Sequence, residues 1–196
     1  MNNENVNENE NENSLSKAKY ILKESISWAL ILAAAVGIAL FLTEYVIFKA
    51  VVPSGSMKDT IQVGDQLIGL RIINNVRRGD ILIFLNPDLK PGDEEEYFIK
   101  RVIGMPGETL EIKDGNVYID GKVLKEDYLR EDYINNNFGP YEIPEGCYFM
   151  MGDNRNSSGD ARFWTNKYLA KEDIAAKALF RWYPSIKFFK RPKYED

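Results

Sequence analysis

The chain has 196 residues, a formal net charge of −5, no histidine and one cysteine, Cys147. That length accommodates a tail, one membrane span and one globular domain. A single cysteine excludes an intrachain disulfide, and the lack of histidine excludes a Ser-His-Asp triad within one chain. The segment Asn2 to Asn13 carries four acidic residues and no basic ones, so the rest is close to neutral, which argues against nucleic acid as the main partner.

Residues 2–13 are almost entirely Asn and Glu. Such a segment lacks the apolar surface to offset its ordering entropy, and a disordered tail is predicted over 1–19. Ser25 to Thr43 then runs for 19 positions without a charge. At about 1.5 Å rise per residue it spans about 28 Å, close to the ~30 Å hydrocarbon core. The alternatives are a buried core helix and a cleavable secretory signal. The stretch exceeds the usual ~7–15 apolar residues of a signal, and no small-x-small site follows it. The expected element is an uncleaved anchor over 20–48. Lys17, Lys19 and Lys23 precede it while Lys49 and Lys58 follow, a narrow bias toward a cytoplasmic N-terminus.

From about residue 60 the pattern becomes strand and turn. Asp65 to Ile68 follows a Val63-Gly64 turn. Ile81 to Leu85 is a short apolar run suited to a buried strand, and Tyr97 to Ile103 is another, closed by Met105-Pro106-Gly107. Leu110–Lys113 and Asn116–Ile119 flank Asp114-Gly115, a strong hairpin signal, and Asp120-Gly121 adds a second turn. Lys171-Glu172-Asp173 suits one helical turn. Cys147–Met151 and Ala176–Tyr183 are later strands, the last stopped by Pro184. Many short strands with frequent turns predict a mainly β fold: an antiparallel, barrel-like domain over 49–190 behind the anchor.

Three pieces carry chemistry. In Tyr97–Ile103, period-two alternation places Phe98, Lys100 and Val102 on one face and Ile99, Arg101 and Ile103 on the other. Between apolar neighbours Lys100 is disfavoured as an ammonium. A drop from about 10.4 to about 8 costs roughly 2.7 kcal/mol. The competing reading is an edge-strand or snorkelling lysine. In Pro53-Ser54-Gly55-Ser56-Met57, Ser56 is placed for nucleophilic attack if a neutral lysine takes its proton, and Ser54 is placed to donate to an oxyanion beside the Ser56 N–H. Alone, the same residues read as a polar turn leaving the membrane. Gly152 to Arg162 is dense in polar groups, suited to setting a hydroxyl against a lysine and to an Asp160–Arg162 ion pair, or simply to a solvated turn.

Taken in order, these blocks resemble the type I signal peptidases in their short Gram-positive form. The span matches the family's anchor. Pro53–Met57 matches the nucleophile block, and Arg78-Gly79-Asp80-Ile81 matches the next. Lys100 to Glu108 matches the general-base block, and Gly152 to Arg162, continued by Phe163-Trp164, matches the last. Ala161 departs from a frequent serine. The resemblance implies a membrane-bound serine endopeptidase with a Ser56–Lys100 dyad, needing no metal or cofactor. It makes Ser54, with the Ser56 N–H, the oxyanion hole and Ser158 the residue that orients the lysine. Asp160 and Arg162 become a structural ion pair in a loop that also holds Asp153, Asn154 and Arg155. It implies small-residue pockets lined by Val52, Met57, Ile61, Phe98 and Ile99. Its partners would be signal peptides of exported preproteins, the lipid bilayer and the secretion translocon, with a cytoplasmic N-terminus and an extracytoplasmic domain at the cell membrane. A soluble Ser-Lys autoprotease and a tethered binding module or inactive relative are the rival readings. The span and the missing basic patch weigh against the autoprotease.

Overall fold

The computed structural model describes residues 3–129, 131 and 133–194, without the side chains of 3–16 and 18. It divides into two units, Met1–Tyr45 and Val46–Asp196. The first is a single helix, α1 (Asn3–Phe41), followed by a π-helical turn, Leu42–Val46. Lys19–Val46, with a mean hydropathy of 2.3, is long and apolar enough to cross a membrane, and its side chains from Lys19 to Tyr45 are exposed. The expected disordered tail falls mainly on residues whose side chains lie outside the description. Its backbone from Asn3 onward continues the helix. Nucleation is the costly step, so a helix begun in the apolar stretch extends at one hydrogen bond per added residue.

The anchor expected to end at 48 stops earlier, because β1 (Ile47–Val51) pairs with β2 (Gln66–Leu70) from Ile47↔Leu70 to Val51↔Gln66. The remaining strands are β3 (Ile81–Leu85), β4 (Tyr97–Gly104), β5 (Thr109–Lys113), β6 (Asn116–Ile119), β7 (Lys122–Val123), β8 (Phe138–Glu142), β9 (Cys147–Met151), β10 (Leu169–Ala170), β11 (Ile174–Tyr183) and β12 (Lys187–Phe188). One sheet runs β1-β2-β11-β3-β4-β9-β10, with β12 on β11, and the other runs β7-β6-β5-β8. All the pairings are antiparallel. Among the described residues the end strands β1 and β10 do not pair, so the domain is mainly β with open sheets rather than a closed barrel.

The turns follow from local chemistry. Asp114 and Gly115 both take positive φ, 49° and 80°, as a two-residue type I′ hairpin demands. Lys171–Asp173 forms one 3-10 turn. β3 is buried on both faces by simple alternation. Leu82 and Phe84 enter one core with Val102, Leu110, Ile112, Phe149 and Trp164, while Ile81 and Ile83 enter a second with Val52, Met57, Ile61, Leu67 and Ile99. Alternation fails at one expected place. Ile103 joins the first core beside Val102 instead of sharing the side of Ile99, because the β4–β9 register shifts between Val102 and Gly104. The two sheets are coupled where Phe149 of β9 stacks on Tyr141 of β8 at 5.0 Å. Phe149→Ala is expected to lower the unfolding free energy of the detergent-solubilised chain by about 3–5 kcal/mol, read as a lower thermal midpoint.

Candidate active site

Lys100 lies on β4 and is only 4% exposed, while Ser56, at 8%, sits in the turn that follows β1. Lys100 Nζ and Ser56 Oγ are hydrogen-bonded at 2.9 Å, although 44 residues separate them. The Nζ lies 5.3 Å over the Phe98 ring. Burial pushes the Lys100 pKa down from 10.5 to about 8, and the charges of Asp160 and Glu96 act against that fall. The site is therefore one in which a lysine is partly neutral near physiological pH and touches a serine hydroxyl. Ser54 is exposed, with its Oγ 3.4 Å from that of Ser56.

Two loops fix this contact. The turn holding Ser56 is fastened to residues 153 and 154 by four bonds. Asn154 N donates to Ser56 O at 3.0 Å and Asn154 Nδ2 to Gly55 O at 3.0 Å. Thr60 Oγ1 donates to Asp153 Oδ2 at 2.6 Å, and Asp153 N reaches the Met57 sulfur at 3.4 Å. Asp153 is in turn gripped by Arg101, whose Nε and Nη2 donate to its two oxygens at 2.8 and 2.6 Å. Neighbouring residues on one strand, Lys100 and Arg101, thus meet the serine and the loop that holds the serine.

The 152–162 loop has its own internal frame. Asp160 receives Arg162 Nε at 2.8 Å and Gly152 N at 2.9 Å, and Arg162 Nη2 donates to Arg155 O. Buried Arg155 forks onto Glu126 at 2.6 Å twice and donates to Gly152 O at 3.1 Å. A Cβ at Gly152 would fall 2.3 Å from Ser158 Oγ and 2.5 Å from Ser56 O, so only glycine lets the chain pass this close. Ser158 Oγ is buried without a hydrogen-bond partner. The lysine-orienting bond expected of it is absent here. Lys100 instead spends its contact on Ser56.

A cleft of roughly 390 Å³ opens beside the Ser56–Lys100 contact, lined by Val52 to Met57, Glu96 to Lys100, Ser157 and Gly159. Of the five residues expected to line small-residue pockets, Val52, Met57, Phe98 and Ile99 face it. Ile61 does not; it is fully buried in the core that also holds Val52, Met57 and Ile99. On β4, β9 pairs with Arg101–Gly104, and among the described residues Tyr97–Lys100 has no strand partner on the side away from β3. Sequence reasoning gave no role to Arg101, Thr60, Glu96 or Glu126. The pairing of Arg101 with Asp153 spans 52 residues, and nothing local signals it. A signal for Arg101 did exist, in that an always-charged side chain on a buried strand demands a partner.

Residues 25–183 match the family described as signal peptidase, peptidase S26. The chain belongs to this family. It is 36% identical to a probable signal peptidase I-1 from Synechocystis, over 85% of each chain. It is 39% identical to a signal peptidase I from Leptolyngbya laminosa, over 76% of this chain and 73% of that one. A signal peptidase I S from Bacillus subtilis is 32% identical over 87% of this chain and 94% of its own. Membership of the S26 family makes the chain a serine peptidase, a hydrolase, and the cleft with a serine and a neutralisable lysine is the candidate site for that chemistry.

The buried lysine has a stability consequence. In the folded state Lys100 loses its proton near pH 8 and in the unfolded chain near 10.5, so the charged form costs about 3 kcal/mol below pH 8. That cost fades as pH rises from 8 to 10.5. Lys100→Met is therefore expected to stabilise the fold at pH 7 by up to about 3 kcal/mol, with the gain gone above about pH 10.5, as measured by denaturation across that range.

Proposed function

We propose that this chain is a membrane-bound serine endopeptidase that removes N-terminal signal peptides from exported preproteins, with Ser56 as nucleophile and Lys100 as general base. The observation that carries the reading is the 2.9 Å contact between Lys100 Nζ and Ser56 Oγ at a buried position beside an open cleft. Family membership supports the substrate class, since the relatives are named signal peptidases.

In this mechanism the Ser56 hydroxyl donates its proton to neutral Lys100 Nζ as Oγ bonds to the scissile carbonyl carbon. The oxyanion is stabilised by the Ser56 N–H and the Ser54 hydroxyl, whose oxygen already lies near the nucleophile. The carbon–nitrogen bond then breaks, and the lysinium returns its proton to the departing amine. Water attacks the resulting ester with Lys100 again as base, releasing the acid and restoring the Ser56 hydroxyl. Ser158 Oγ is buried and unpartnered, and in this mechanism it receives a hydrogen bond from Lys100 once the nucleophile is acylated.

An extended substrate fits the free side of Tyr97–Lys100 by strand addition. Its small side chains would meet Val52, Met57, Phe98 and Ile99, which supports cleavage after small-x-small sequences. The apolar helix Lys19–Val46 supports anchoring in the bilayer. The three lysines before it support a cytoplasmic N-terminus and an extracytoplasmic domain, positioned to receive preproteins from the secretion translocon.

Cleavage of a purified preprotein tests the dyad. Ser56→Ala and Lys100→Ala are expected to lose at least about a thousandfold in kcat, and Lys100→Arg should be equally inactive because arginine stays protonated. Full activity in any of the three would remove the dyad. Because the neutral lysine is the active form, kcat/KM should rise with pH and reach half its maximum near pH 8. A midpoint near 10.5 would show that the base is not a buried lysine.

A further inference from the structure

The face of β4 opposite Lys100 is closed by residues drawn from two remote segments. Arg101 is 2% exposed and Asp153 5%. Besides its fork on Asp153, Arg101 donates from Nη1 to Gly79 O at 2.8 Å. Its guanidinium lies 4.3 Å beneath the ring of Tyr128. Tyr128 OH donates to Glu126 at 2.5 Å, the same carboxylate that Arg155 grips. Over Tyr128 stands Tyr194, edge-on at 6.5 Å and 86°, with the two hydroxyls 3.4 Å apart. The segment carrying Tyr194 is seated firmly. Phe189 N donates to Leu179 O at 2.9 Å. A Cβ at Gly79 would fall 2.9–3.0 Å from Pro192, Arg191 and Tyr194, so the segment lies directly on the turn whose carbonyl Arg101 uses.

We propose that residues 189–194 form a cap over the active-site clamp, with Tyr194 a positioning residue for the chemical step. By holding Tyr128 on Arg101, Tyr194 keeps the Arg101–Asp153 fork dry, and the dry fork holds the turn carrying Ser56 against Lys100. The inference rests on the Ser56–Lys100 mechanism above.

The physical reason is dielectric. A charge pair shielded from water and ions is far stiffer than the same pair wetted. The fork is the link through which Asp153 and Asn154 hold Thr60, Gly55 and Ser56. Loosening it shifts the nucleophile relative to its base, and displacements of about 1 Å in such geometry cost up to about a hundredfold in rate. Tyr194 is not among the residues lining the cleft, so substrate affinity is left alone.

Tyr194→Ala and Tyr194→Phe in the full-length, detergent-solubilised chain test this with a preprotein-derived peptide and an acylating probe for Ser56. The expected result for Tyr194→Ala is a fall in kcat of roughly tenfold with KM within about twofold. Its kcat should fall further as NaCl rises from about 0.05 to about 0.5 M, as a wetted ion pair is screened. Wild type and Tyr194→Phe, which keeps the ring, should show little salt response. Unchanged kcat in Tyr194→Ala overturns the proposal. So does a loss that tracks only the folded fraction with the salt response of wild type, or failure of phenylalanine to restore the rate. If the wild type labels at Ser56 but does not cut the peptide, the signal-peptide reading fails separately. The labelling rates of the variants then decide the cap by the same comparisons.

Discussion

The fork between Arg101 and Asp153 is the constraint on which the site depends. Two short charge-assisted bonds, at 2.8 and 2.6 Å, join β4 to the 152–162 loop. Through Asp153 and Asn154 that loop holds the turn bearing Ser56. Both partners are buried, so removing one would strand a charge in the interior, a far larger penalty than the pair's net worth. This pair therefore serves position more than stability. It makes the placement of Ser56 a consequence of the same strand that carries Lys100.

The lysine side of the contact depends on a different effect. Among the described residues Lys100 has no direct ion pair, and its side-chain hydrogen bond is to Ser56. Burial lowers its pKa to about 8, with Asp160 and Glu96 pulling the other way. Asp160 is committed to Arg162 and Gly152 N, so part of its charge is already balanced. The neighbourhood thus tunes the lysine between two failures. Without burial it would stay protonated at neutral pH, and without the nearby carboxylates it would lose more of the basicity that the proposed general-base role calls for.

Much of the fold was legible in local patterns. The run Ile81–Leu85 and the Asp114-Gly115 turn appear where expected, because each depends on short-range preference or strict alternation. β1, β8, β10 and β12 were not foreseen. β10 and β12 are two residues long, β8 carries Pro140, and β1 continues directly from the membrane-length stretch, so none shows an independent pattern. Within the site, the resemblance named Ser56 and Lys100. It also led to Ile61 as a pocket residue and Ser158 as a partner of the lysine, whereas the structure places Ile61 in the core and leaves Ser158 Oγ alone. Whether a side chain faces a cleft or the core turns on a rotation of one short turn, which composition does not encode.

From residues alone it followed that no histidine-based triad exists, that one segment is long and apolar enough to span a bilayer, and that the rest is a strand-rich domain. These rest on residue identity, length and periodicity, which are properties of a linear chain. Tertiary structure decided the rest. It brought Ser56 to 2.9 Å from Lys100 across 44 residues and Arg101 to Asp153 across 52. It also buried Lys100 deeply enough to change its proton affinity. Proximity and desolvation exist only once the sheets have packed, and so a lysine whose strand pattern alone also fits an edge or snorkelling role becomes a candidate base in the fold.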